Sequence, residues 1–348
     1  MENSTSYRNK LILTLGVFML LFGCRKPVDD VIPTLEPYNL KIPTGFPIPE
    51  FAEDNPLTVE GIKLGKKLFF DKRLSRDGSL SCASCHLVGL GFTDNLAVSI
   101  GVDGAVGSRN SPTLANTVYQ DRYFYDGGVP TLELQVLAPI HNKQEMDFNI
   151  LDLVDLLNED EELVALSKKV YQRDVIDPWV ITRAISNYER IMISGNSRYD
   201  QYYYQGNTNV MTAQEIEGMN LFFSDELKCA ECHSGFNFTN NDYANIGLYE
   251  VYEDFGRERI SFDSTDIGKF KVPTLRNIEL TSPYMHDGSI ETLEEVIDFL
   301  NTGGMEHANK SEFIVPLNLS STQKTNLIVF LKTLTDTEFI NNPIFQEE

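Results

Sequence analysis

The sequence predicts a mainly α fold made of two related modules. Three observations carry this reading: the pentapeptide Cys-x-x-Cys-His occurs twice, the segments around the two copies repeat, and the apolar residues recur at helical spacing. The copies are Cys82-Ala83-Ser84-Cys85-His86 and Cys229-Ala230-Glu231-Cys232-His233, which together use four of the five cysteines. Gly65-x-x-Leu68-Phe69-Phe70 before the first is echoed by Gly218-x-x-Leu221-Phe222-Phe223 before the second. Pro112-Thr113-Leu114-x-Asn116 recurs as Pro273-Thr274-Leu275-x-Asn277, and Asp126-Gly127 with Thr131-Leu132-Glu133 recurs as Asp287-Gly288 with Thr292-Leu293-Glu294. These last two pairs share one offset, 161 residues, a register that chance similarity between short motifs would not keep.

Taken in order, residues 1–23 carry Arg8 and Lys10 followed by an apolar run from Leu11 to Phe22. That run is too short to span a bilayer comfortably and reads as a cleaved export signal. Leu21-Phe22-Gly23-Cys24 resembles a bacterial lipobox, in which the cysteine is acylated; an ordinary signal peptide that contains a cysteine is the alternative. Residues 24–56 hold seven of the fifteen prolines with little helical periodicity and read as an extended tether. The first module follows over residues 57–200 and the second over 201–340. Thr58 to Phe70 and Thr212 to Phe223 open on a capping residue and include a glycine that permits close helix approach. Thr131–Leu137, Ile150–Leu157, Trp179–Ile193, Thr292–Leu300 and Thr322–Leu334 also read as helices. In the last of these Leu327, Phe330, Leu331 and Leu334 form one apolar stripe. Arg198 to Met211, rich in Tyr, Asn and Gly, reads as the link between modules, and no region shows the sustained alternation of a strand.

The pentapeptides carry the chemistry. Two thiols at this spacing reach the two vinyl groups of one haem, and the adjacent histidine then lies under the iron as an axial ligand. Zinc sites and thioredoxin-like pairs also use Cys-x-x-Cys, but neither requires a histidine directly after the second cysteine in both copies. The chain is therefore expected to carry two covalently bound c-type haems. Export agrees with this, because such haems are attached outside the cytoplasmic membrane. Several acyl chains on Cys24 would anchor the protein to a membrane surface, whereas one would hold it only marginally.

Composition frames the partners. A chain of 348 residues that is 42% hydrophobic can bury two ordinary cores. Its formal charge of −22 becomes −23 without residues 1–23, where Glu2 stands against Arg8 and Lys10, so nucleic acid is not an expected partner. A basic electron-donor protein is compatible with this surface, since opposite charge steers encounter.

At this point the chain resembles the bacterial dihaem cytochrome c peroxidase family, which includes the MauG-type enzymes. The likeness runs from about Pro47 to Thr335. It rests on Leu64-Gly65-Lys66-Lys67-Leu68-Phe69-Phe70-Asp71, Gly91-Phe92-Thr93-Asp94, Arg109-Asn110-Ser111-Pro112-Thr113-Leu114, Glu145-Met146 and Tyr188-Glu189-Arg190 around and after the first pentapeptide. It continues through Phe270-Lys271-Val272-Pro273-Thr274-Leu275-Arg276-Asn277 and Pro283-Tyr284-Met285-His286-Asp287-Gly288. The resemblance implies two cytochrome c-like haem domains, with peroxide reduced at the N-terminal haem. There Glu145 matches the residue that moves a proton between the peroxide oxygens and Gln135 the one that orients peroxide. Tyr125 matches the place of the residue that conducts electrons between haems, usually tryptophan; the chain's single tryptophan, Trp179, is expected in the core. Asn110, Thr281 and Pro283 match a calcium site at the module interface. A homodimer is among the assemblies that the resemblance implies.

Two positions depart from the family pattern. Peroxidases of the family hold a histidine on the distal side of the resting first haem, where this chain has Val102. Valine cannot ligate iron, so the first haem is expected to rest five-coordinate unless His141 or His307 substitutes. At the second haem the family supplies methionine, or tyrosine in MauG-type members, at the place of Leu300. Met305 is the expected iron ligand instead, against the alternatives of a simple loop methionine, Met285 or an open site; His286 is expected to be structural. The reading that follows is a peroxidase that reduces hydrogen peroxide to water with electrons from an external cytochrome c or cupredoxin, on the periplasmic side. A MauG-type oxidase of another protein and a non-enzymatic dihaem electron carrier are its rivals.

Overall fold

The structure, a computed structural model, describes residues 34–347. The export signal and Cys24 lie outside the described residues. The helices are α1 (Val59–Phe69), α2 (Cys82–Cys85), α3 (Leu132–His141), α4 (Ile150–Leu157), α5 (Glu161–Tyr171), α6 (Pro178–Arg190), α7 (Arg198–Tyr203), α8 (Ala213–Phe222), α9 (Cys229–Cys232), α10 (Glu258–Ser261), α11 (Leu293–Thr302), α12 (Ser321–Lys332) and α13 (Thr337–Ile340). Among the described residues the only sheet is a two-residue antiparallel pair, β1 (Tyr243–Ala244) with β2 (Phe270–Lys271).

Local chemistry accounts for the paired helices. Thr58 caps α1 by accepting from the Gly61 N–H, with Glu60 in the first turn and Lys66 and Lys67 in the last, where each complements the helix dipole. Thr212 caps α8 with Glu215 in a reciprocal capping box, and Thr292 and Glu295 do the same for α11. Helix α1 crosses α6, and α8 crosses α12, at a glycine. A Cβ on Gly65 would collide with the Ala184 carbonyl and Tyr188 Cβ, and one on Gly218 with the Asn326 carbonyl and Phe330 Cβ. Ala184 and Asn326, like Tyr188 and Phe330, stand 142 residues apart, so one crossing has been built twice.

The repeated Pro-Thr-Leu-x-Asn motif locks the far end of each crossing. Asn116 and Asn277 both adopt left-handed backbone, at φ 62° and 59°. Asn116 donates its N–H to the Met192 carbonyl at 2.8 Å and accepts from the Ser194 N–H at 2.9 Å. Asn277 donates to the Leu334 carbonyl at 3.1 Å and accepts from the Asp336 N–H at 2.8 Å. The contact between modules is reciprocal as well. The Asn110 N–H donates to the His286 carbonyl at 2.8 Å, and the Lys271 N–H donates to the Tyr125 carbonyl at 2.7 Å. Asn110 and Lys271, like Tyr125 and His286, are 161 residues apart, so the two bonds are one bond repeated about a pseudo-two-fold axis.

Two apolar cores result. Leu64, Leu68, Phe69, Leu74, Ile181 and Tyr188 centre the first; Tyr199, Phe222, Phe238, Leu327, Phe330 and Leu334 centre the second. The chain's end returns to the first, where Phe339 and Phe345 pack on Phe92 with ring centroids 5.4 and 5.7 Å away.

Three expectations are corrected. Residues 35–56 are not an extended tether: Pro37 pairs with Thr58, the Tyr38 N–H donates to the Leu57 carbonyl at 3.1 Å, and Phe46 is buried against Phe236. Aromatic burial overrides the proline-rich composition there. The expected link at Arg198–Met211 begins with α7, because Ser197 and Asp200 form a capping box and Tyr199 enters the second core. Helix α5 was not foreseen; Asp160 caps it and only Leu163 and Ser167 are buried along it, so its apolar signal is weak.

Asp200 also receives Arg276 in a doubly hydrogen-bonded ion pair at 2.8 and 2.9 Å, both side chains being fully buried. Arg276 further donates to the Phe236 carbonyl and lies over the Phe46 ring. Breaking such a pair from one side leaves an uncompensated buried charge. Asp200→Ala is expected to cost about 3–5 kcal/mol, read as a lowered urea midpoint for the haem-loaded protein; a midpoint equal to the parent's would refute this.

Candidate active site

Each pentapeptide forms a single helical turn that turns Cys, Cys and His towards one cavity. The His86 N–H donates to the Cys82 carbonyl at 3.0 Å and the His233 N–H to the Cys229 carbonyl at 2.9 Å. The following loops then turn back through left-handed Phe92 (φ 64°) and Phe238 (φ 50°) and present a carbonyl to the imidazole. His86 Nδ1 lies 2.9 Å from the Phe92 carbonyl, and His233 Nδ1 3.0 Å from that of Phe238. A carbonyl only accepts, so Nδ1 carries the proton and the Nε2 lone pair is left for a metal. Burial pushes both imidazoles below their ordinary range, which keeps them neutral and able to ligate.

This donor set is what two haems of the c type need. Cys82, Cys85, Cys229 and Cys232 form no disulfide. Cys82, Cys85 and His86 line one cavity of about 50 Å³, and Cys229, Cys232 and His233 line another of about 350 Å³. In the first, the fit rests on the donor set rather than on the volume. Each cavity has a wall from the same helix in the same register. Gln135, Val136 and Pro139 of α3 correspond at the 161-residue offset to Val296, Ile297 and Leu300 of α11, and all six line their cavities. The walls differ in kind at one of these positions, where polar Gln135 stands in the first and aliphatic Val296 in the second.

Glu145 completes the first cavity. Its carboxylate accepts from Asn142 Nδ2 at 2.6 Å, and burial raises its pKa while that hydrogen bond opposes the rise. Gln135 lines both cavities and so stands where they approach. Tyr125 lines the second, half-buried, with its hydroxyl donating to Asn110 Oδ1 at 3.5 Å. Val102 is buried, and its N–H donates to the Glu145 carbonyl at 2.8 Å, tying its loop to the acid's loop. His141 is exposed, and His307 Nδ1 accepts from the Asn309 N–H at 3.0 Å; neither lines the first cavity, where His86 is the only histidine among the described residues.

The second cavity corrects one expectation. Met305 does not line it: the side chain is 48% exposed and its N–H donates to the Gly247 carbonyl at 2.7 Å. Gly303 and Gly304, both at positive φ, turn the chain away from the cavity after α11. Leu300 and Met285 do line it. So does His286, but its ring is stacked on Phe270 at 3.6 Å and is held there. Asn110, Thr281 and Pro283 share the edge of this cavity, although the Asn110 amide donates to the Leu96 carbonyl at 2.8 Å. Trp179 belongs to neither cavity; Arg173 and Arg183 cover its ring.

Met146 and Glu189 also line the first cavity, although the sequence presents them only inside motifs. Arg109 lines neither cavity and likewise appears in the sequence only inside a motif; it bridges Asp126 at 2.6 Å and Asp254 at 2.7 Å between the modules. The repeat register held the signal for Arg109 and Glu189, since their counterparts in the second module are apolar.

A duplicated helical module with a haem-binding turn, a buried neutral histidine and an inward-facing wall in each copy defines a dihaem protein of the cytochrome c type. A profile described as "Di-haem cytochrome c peroxidase" matches residues 59–209. The chain is 35% identical to cytochrome c551 peroxidase of Nitrosomonas europaea over 83% of its own length and 84% of that protein. It is 33% identical to the methylamine utilization protein MauG of Methylorubrum extorquens, over 80% and 79%. The crystal structure of a MauG-like protein associated with microbial copper homeostasis superposes with a TM-score of 0.85 at 35% identity, over 89% of this chain and 99% of that one. The chain belongs to the di-haem cytochrome c peroxidase family.

The exposure of Met305 generates a test. Met305→Leu is expected to leave the absorption spectrum of the oxidised protein and the potential of the second haem unchanged; loss of a low-spin signal in this variant would put the sulfur on iron.

Proposed function

We propose that the protein reduces hydrogen peroxide to water in its first module, with electrons that a cytochrome c or cupredoxin delivers through the second. One observation carries this reading: Gln135 and Glu145 face the first cavity, while the matching wall of the second is Val296, Ile297 and Leu300. Haems attached covalently at Cys82 and Cys85, and at Cys229 and Cys232, would supply iron for peroxide binding and electron storage, under His86 and His233.

The chain's own residues then divide the work. Gln135 orients bound peroxide, having an amide that both donates and accepts. Glu145 takes a proton from one oxygen and returns it to the other, which favours heterolysis of the O–O bond. Its hydrogen bond from Asn142 aims the carboxylate. Tyr125, in the lining of the second cavity, relays electrons by transient oxidation. Val102, at the usual histidine position, offers no atom that could ligate iron, so a haem held there by His86 would need no reductive activation. Asn110, Thr281 and Pro283 would hold calcium at the interface through oxygen atoms. Residues 57–200 and 201–340 form the two haem domains, Cys24 carries the lipid, and the folded body lies on the periplasmic side. Among the described residues no helix is long and apolar enough to cross a membrane. The acidic surface suits a basic donor, and a homodimer fits the same reading.

A second reading, a MauG-type oxidase that uses peroxide to oxidise residues of another protein, is favoured by the likeness to the MauG-like structure and by Val102. Stopped-flow spectroscopy of the fully oxidised protein separates the two. A high-valent species that decays quickly with reduced cytochrome supports the peroxidase, and a long-lived one that ignores the donor supports the oxidase. In steady state, Glu145→Gln is expected to lower peroxide turnover by roughly 10²–10⁴-fold with haem content unchanged. Because burial raises the Glu145 carboxyl, parent turnover should fall as acidification protonates it, and the variant should lack that limb. Unchanged turnover in the variant would sink this assignment.

A further inference from the structure

The helix crossings put α6 and α12 in register at 142 residues, which aligns Ile185 with Leu327 and Glu189 with Leu331. All four line the cavity of their own module. One position therefore holds an aliphatic side chain in the second module and a carboxyl in the first. Glu189 is 4% exposed, and its Oε2 has no hydrogen-bond partner. The charged and titratable groups around it are few: Arg190 on its own helix, Glu133 from α3, Cys82 from α2, Tyr123 from the loop before α3, and Glu145 across the same cavity. Arg190 is engaged elsewhere, on Glu133 at 2.6 Å and Asn187 at 3.2 Å. Burial pushes the Glu189 carboxyl up to about 8, with Arg190 opposing the rise and Glu133 adding to it. At neutral pH it thus holds a proton inside the pocket.

We propose that Glu189 is a third polar residue of the first haem site, a buried acid that supplies a proton during peroxide reduction. The proposal rests on the peroxidase reading, whose stoichiometry leaves this role open. Converting one hydrogen peroxide to two waters breaks the O–O bond and consumes two electrons and two protons. Glu145 only moves a proton that peroxide already carries and returns to its starting state. Both net protons must therefore come from elsewhere, while both electrons come from the donor protein. Glu189 gives one of those protons to the remaining oxygen, becomes a carboxylate, and is reprotonated from water; the second proton comes from solvent. The second module, which only passes electrons, carries Leu331 at this place.

The test uses the haem-loaded protein with Glu189→Gln, which keeps the shape, and Glu189→Leu, which installs the second module's own residue type. In both variants the first reaction with peroxide should keep its parent rate, and the later reduction by cytochrome should slow at least tenfold. Independently of turnover, the potential of the first haem should fall with pH above about 8 in the parent and stay flat there in both variants. Variants with full haem content and the parent's potential curve and reduction rate would overturn the proposal, as would a parent-like Glu189→Gln beside a slow Glu189→Leu, which would mark a packing role. If the parent shows no peroxide turnover, the functional reading fails, whereas a pH-dependent potential lost in the variants still assigns Glu189 as a proton-bearing group of the haem site.

Discussion

Two helices can approach to backbone contact only where neither places a side chain between them. Gly65 and Gly218 meet that condition, and much else in the molecule follows from it. Contact with Ala184 and Tyr188 fixes the axial position of α6, and contact with Asn326 and Phe330 fixes that of α12. Once the helices are fixed, so are the residues next in the chain to those contacts, Ile185 and Glu189 in one module and Leu327 and Leu331 in the other. The asparagines at 116 and 277 then grip the chain just beyond each helix. The lining of each cavity is thus a consequence of a backbone contact on the neighbouring face of the same helix.

A symmetric frame makes small differences legible as chemistry. The reciprocal bonds from Asn110 to His286 and from Lys271 to Tyr125 hold corresponding segments against each other across the pseudo-axis. Their neighbours differ in kind. Arg109 forms ion pairs with Asp126 and Asp254, whereas its counterpart Phe270 stacks on His286. Charge thus lies on one side of the interface and aromatic surface on the other. The same division runs through the two walls, where Gln135 faces Val296 and Glu189 faces Leu331 in the alignment of the modules.

The sequence showed the duplicated helical frame well, because its signals are local. Thr58, Thr212 and Thr292 are caps whose partners lie three residues away, and the pentapeptides report their own chemistry. The cavity wall of α3 was legible through Gln135, and the loop acid Glu145 through the family pattern. What escaped depends on distant contacts. The burial of Phe46 is decided by Phe236 and Arg276, nearly two hundred residues and more away in the chain. Met305 looked suited to a metal until the paired glycines before it set the direction of its backbone. Glu189 stood in plain view, but a glutamate beside an arginine reads as a surface pair until burial separates their partners.

The return of the chain end to the first core has a temporal meaning. Phe339 and Phe345 pack on Phe92, and the Tyr188 hydroxyl donates to the Ile344 carbonyl at 3.4 Å. Phe92 also supplies the carbonyl that orients His86. The first module therefore lacks part of its packing until residues 339–345, which follow the whole second core in the chain, have been synthesised, and the loop that orients His86 waits on them.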